Sequence, residues 1–139
     1  MTARLTGETA LYLAWALALF SSLLVLFIGE VLEQAPCALC WYQRAFMFPL
    51  AVVLGMAAWR ADFGIRPYAL SLALIGGAIS LWHLGLFVGL IPEAIQPCTA
   101  SGPSCTGESQ LFLGVPIPLL SFAAFAAITG LLFAARPET

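Results

Sequence analysis

Four apolar runs of about twenty residues, parted by short polar segments, leave this chain one economical way to fold. Each run is long enough to cross the ~30 Å hydrocarbon core of a bilayer as a helix. In lipid, only helices and closed barrels satisfy their own backbone. The runs lie near residues 11–31, 41–59, 68–90 and 115–135. Hydrophobic residues make up 62% of the 139 positions and charged residues 9%, where soluble domains hold roughly half and a quarter. The expected fold is therefore an all-α membrane protein, a four-transmembrane-helix bundle forming one domain over residues 1–139. Outer loops fall near 32–40 and 91–114.

Arginine alone sets the orientation, because the chain has five arginines and no lysine. Arg4, Arg60, Arg66 and Arg136 share one side if the chain crosses four times, and positively charged segments stay cytoplasmic. Both termini are then expected in the cytoplasm. Tyr12, Trp15, Trp41, Tyr42, Trp59 and Tyr68 fall near predicted span ends, where aromatic belts form. The first run is too long for a signal-peptide core and no A-x-A site follows it. A net charge of −2 with scattered basic residues gives no footprint for nucleic acid. Pro67 is placed to open the third helix, and Pro116 or Pro118 the fourth. Pro49 lies inside the second. Ala57-Ala58 and Gly76-Gly77-Ala78 offer small faces for close helix approach.

All four cysteines lie in the two loops without arginine, hence on the face opposite the cytoplasm, where thiols oxidise. Cys37 and Cys40 form a CxxC at the start of the second helix, whose N-terminal partial charge favours a thiolate. Cys40 is nearer the first turn and is the better candidate for it. Cys98 and Cys105 bracket a turn-rich stretch, Thr99-Ala100-Ser101-Gly102-Pro103-Ser104. Four cysteines allow three pairings, and sequence does not choose among them. Structural staples are one reading of both pairs, and an all-thiolate zinc site another. An oxidising compartment argues against the metal.

Arg44 breaks the charge pattern. It follows Cys40 by four residues, so it shares that helix face about 6 Å further along the axis. A mid-membrane arginine costs up to ~2.5–3.5 kcal/mol. Either it snorkels to the headgroups, or its guanidinium stabilises a thiolate and an anionic oxygen of a bound acceptor. His83, the single histidine, lies at similar depth in the third helix. It is either a hydrogen-bonded core residue or a proton donor facing Arg44. Glu30 and Glu33 read as solvated.

The run Cys37-Ala38-Leu39-Cys40-Trp41-Tyr42-Gln43-Arg44, with Pro97-Cys98, Cys105 and a histidine in span three, resembles the disulfide bond formation protein B family (DsbB). The likeness is nearest to its short, BdbC-type members and covers nearly the whole chain. It implies an enzyme of the bacterial cytoplasmic (inner) membrane, a quinone-dependent protein disulfide oxidoreductase. Such an enzyme reoxidises a soluble DsbA-like thioredoxin-fold thiol oxidase and so supports disulfide formation in exported proteins. By resemblance, Cys98 is attacked by the partner's thiolate, Cys105 completes that pair, and electrons pass to Cys37 and Cys40. Cys40 would contact the ring of a ubiquinone or menaquinone, flanked by Arg44 and His83. The second outer loop is shorter here than in longer members. Two other readings remain from the residues: a vitamin K epoxide reductase-like enzyme, whose CxxC lies late in the chain, and a non-enzymatic membrane protein with two structural disulfides.

Overall fold

The computed structural model describes residues 7–31, 38–89, 111–112 and 114–135, with only the backbone for 38–40 and 111–112. Four long helices carry the fold: α1, Gly7–Leu26; α2, Ala38–Arg60; α3, Arg66–Val88; and α4, Ile117–Ala134. Helix α1 continues into a π-helical segment, Phe27–Val31. A 3₁₀ turn, Phe63–Ile65, joins α2 to α3. A short hairpin precedes α4, pairing Leu111 with Pro116 and Phe112 with Val115. The proline expectations hold: Pro67 stands in the first turn of α3 and Pro118 in that of α4, after a Pro116 cap. Helix α2 runs through Pro49 without interruption.

The helices pack in a ring, α1 on α2, α2 on α3, α3 on α4 and α4 on α1, while the diagonal pairs make few contacts. Buried residues recur at spacings of three and four, the signature of a helix presenting one stripe to its neighbours. On α2 the stripe is Gln43, Met47, Leu50, Leu54 and Ala57. On α3 it is Ala69, Ala73, Gly76, Ser80 and His83, and on α4 it includes Pro118, Phe125, Ile128 and Leu132. Helix α1 contributes Ala10, Ala14, Ala18 and Ser22. Without a hydrophobic drive between helices in lipid, small residues that let backbones approach do the packing. Gly76 is the tightest such point: a Cβ there would land inside the Phe125 ring. A Cβ on Gly77 would touch Phe125 at 3.5 Å, an ordinary contact, while Ala78 is exposed.

The outward faces are apolar as well. Phe20, Leu23, Val52, Met56, Leu74, Leu81 and Phe133 are all exposed, a surface that water would not tolerate on a monomer. Among the described residues, three stretches, Gly7–Val31, Phe63–Val88 and Ile117–Ala134, are long and apolar enough to cross a membrane. Helix α2 matches them in length but carries Gln43, Arg44 and Arg60. Exposed Trp41 and Trp59 stand at its two ends, about 27 Å apart at the helical rise, a span close to the hydrocarbon thickness.

Candidate functional site at the cysteine end of the bundle

Helix α2 starts at Ala38, so the backbone of Cys40 lies in its first turn, where unpaired N–H groups favour negative charge. Cys37, Cys98 and Cys105 lie outside the described residues, as does Glu33; Glu30 is exposed, in keeping with a solvated role.

One turn below Cys40, Arg44 is only 8% exposed. It does not snorkel. Its Nη2 donates to the Val25 carbonyl at 3.0 Å, and its guanidinium lies 5.0 Å from the Trp41 ring centroid. Both contacts attract a cation: a hydrogen bond from a charged donor contributes about 1.5–3 kcal/mol, and the ring face adds about 0.5–2. The Val25 carbonyl lies just before the π segment, where the backbone ladder changes register, and a carbonyl has a second lone pair to offer. Gly29, within that segment, makes room; a Cβ there would sit 3.0 Å from Nη2. Among the described residues, however, the buried Arg44 Nε has no hydrogen-bond partner. An unmet buried donor costs about 1–3 kcal/mol or more when charged, so this atom marks a place for an acceptor.

Consecutive residues on a helix point about 100° apart, and Gln43 accordingly faces the bundle interior. Its Nε2 is 2.9 Å from His83 Nδ1 on α3. Its Oε1 accepts from Ser121 Oγ on α4 at 2.6 Å. Gln43 is 5% exposed and His83 fully buried. The two candidates expected to face each other are thus divided between two neighbourhoods: Arg44 turns to α1, while His83 is engaged by Gln43. Gln43, Ser121, Gly29 and the Val25 carbonyl were not singled out from the sequence. The three-and-four spacing that puts Gln43 on the Met47–Leu50–Leu54 stripe, and Ser121 on that of Pro118 and Phe125, was the available signal.

A cysteine at a helix start, a buried arginine one turn below it and an adjacent polar layer suit thiol chemistry. Comparison with known proteins points to disulfide formation. The family model described as "Disulfide bond formation protein DsbB" matches residues 7–135. The chain belongs to the DsbB family. It is 54% identical over 130 residues to a "Probable disulfide formation protein" of Metapseudomonas resinovorans, covering 93% of this chain and 90% of that one. A protein of the same description from Deinococcus radiodurans is 39% identical over 134 residues, covering 90% and 87%. "Disulfide bond formation protein C" of Bacillus subtilis is 38% identical over 121 residues, covering 85% and 86%. No solved structure matches the chain. Family membership makes the protein a membrane oxidoreductase of disulfide formation.

Proposed function

We propose that this DsbB-family member is a thiol:quinone oxidoreductase that reoxidises a soluble thioredoxin-fold thiol oxidase of the DsbA type. All four long helices cross the bacterial cytoplasmic membrane, with both termini inside and both cysteine loops outside. Cys98 and Cys105 exchange with the partner, and Cys37 and Cys40 relay the electrons inward. Exchange between such pairs proceeds through mixed disulfides, each thiolate attacking one sulfur and releasing the other. The observation that carries this reading is the buried Arg44 guanidinium one turn below Cys40, with no acceptor for Nε among the described residues.

A quinone fits that position by the chemistry of its donors: a ring carbonyl is the acceptor the orphan N–H requires. When bound, a quinone supplies a two-electron sink that no side chain of this chain provides. Arg44 and Cys40 would hold it, with His83 contributing from α3. The protein's own part is to keep Cys40 as thiolate at the helix N-terminus, to hold Arg44 by Val25 and Trp41, and to exclude water with apolar neighbours.

The test is direct. Purified protein, given a reduced thioredoxin-fold oxidase and a short-chain ubiquinone or menaquinone analogue, should oxidise the partner with stoichiometric quinol formation. Withholding quinone should accumulate reduced Cys37 and Cys40 in a thiol-trapping assay. Cysteines that stay oxidised under those conditions would mean structural bridges and would overturn the proposal.

A further inference from the structure

The direction of the hydrogen-bond chain across α4, α2 and α3 is readable from its lengths. At 2.6 Å, the Ser121–Gln43 contact suits O–H···O and is too short for N–H···O. The carboxamide oxygen therefore faces Ser121. Its –NH₂ then faces His83, where 2.9 Å suits N–H···N. An amide nitrogen only donates, so Nδ1 of His83 must be the acceptor and the ring's one N–H sits at Nε2.

Ser121 is set apart by what its hydroxyl does. Ser22, Ser71, Ser80 and Thr129 each turn back to the carbonyl four residues earlier. Ser121 instead donates across the bundle to α2, between helices that otherwise form a diagonal with few contacts. Burying Gln43 and His83 beside the half-buried Ser121 is tolerable only when the three satisfy one another. It also leaves little freedom to reverse the chain's polarity.

We propose that Ser121 and Gln43 are positioning residues that lock His83 in the Nε2–H tautomer. A histidine so held is a hydrogen-bond donor at one defined nitrogen. In the oxidoreductase reading, on which this functional consequence rests, the lock keeps a hydrogen-bond donor, rather than an acceptor, at the level of Arg44.

Because His83 is the single histidine, the full-length untagged protein labelled with ¹⁵N-histidine gives one unambiguous imidazole spectrum without quinone. The wild type should show a protonated Nε2 and an unprotonated Nδ1. Ser121→Ala frees the carboxamide to turn and should populate both tautomers; Ser121→Thr should restore one. Gln43→Glu replaces the donor by an acceptor and should place a proton on Nδ1. A wild type protonated at Nδ1, or a tautomer unmoved by both Ser121→Ala and Gln43→Glu, overturns the lock. In turnover with reduced partner and a short-chain quinone, Ser121→Ala should lower kcat about tenfold, the effect of one hydrogen bond at about 1.4 kcal/mol. Partner thiol exchange should be unchanged. A shifted tautomer with unaltered kcat would overturn the positioning role. A wild type that reduces no quinone would sink the oxidoreductase reading instead, leaving the spectrum to decide the lock.

Discussion

The two ends of the bundle are built by different rules. Away from the cysteines, the seams are small and apolar: Ala10, Ala14, Ala69 and Ala73 line them, and Phe125 lies over Gly76. Arg66 at that end satisfies its Nε on the Leu132 carbonyl at the end of α4. Toward the start of α2, the same stripes carry Gln43, His83 and Ser121, helix α1 changes to a π segment, and a buried arginine keeps a donor unmet among the described residues. Packing makes one end rigid. The other end holds polar groups and a backbone irregularity of the sort that gathers where a protein does chemistry. Arg66 Nε finds an acceptor at the stabilising end, and Arg44 Nε finds none among the described residues at the reactive one.

That contrast can be broken at its strongest point first. Gly76→Leu must displace the Phe125 ring, and overpacking of a tight seam costs about 1–3 kcal/mol or more. Thermal unfolding in detergent should show a marked fall in Tm, with activity per folded molecule little changed. A tolerated leucine would mean the far end is not the rigid half.

Arg44→Met tests the other end. Removing a buried cation with an orphan donor should leave stability unchanged or raise it by up to about 1 kcal/mol, while the KM for a short-chain quinone rises at least about tenfold. Unchanged quinone kinetics would end the role given to Arg44. A large loss of Tm would recast it as a structural residue.

Gly29→Ala sharpens the distinction between holding the fold and holding the site. Its Cβ would crowd Nη2, the far end of a flexible side chain, so the unfolding free energy should stay within about 0.5 kcal/mol of wild type. Quinone KM should still rise a few-fold, roughly 1 kcal/mol in displaced guanidinium. Equal KM values would show that the π segment does not position Arg44.

The smallest effect belongs to the turn after α2. Ala61 adopts φ 48° as Asp62 N–H closes back on the Ala57 carbonyl at 2.9 Å. A left-handed residue other than glycine costs about 1 kcal/mol. Ala61→Gly should therefore raise Tm slightly and leave turnover alone.

Much of the framework was legible because its causes are local and repetitive. Apolar runs of bilayer length, Pro67 and Pro118 in first turns, and CxxC at the mouth of α2 follow from chain chemistry without knowledge of neighbours. Arg44 was conspicuous for the same reason, as a charge where lipid forbids one. Its partners were not legible. Depth along the axis put Arg44 and His83 level, but depth says nothing about rotation around a helix, and 100° separates the Gln43 direction from that of Arg44.

Sequence therefore determined the helices and their apolar outer faces, since each depends on composition and period alone. Tertiary structure decided which polar groups meet. The ring order of helices turned Gln43 toward His83 and Ser121 and gave Arg44 the Val25 carbonyl. Those pairings come from residues 19, 40 and 78 positions apart. Contacts of that kind are set by the rotation and height of packed helices, which no single segment encodes.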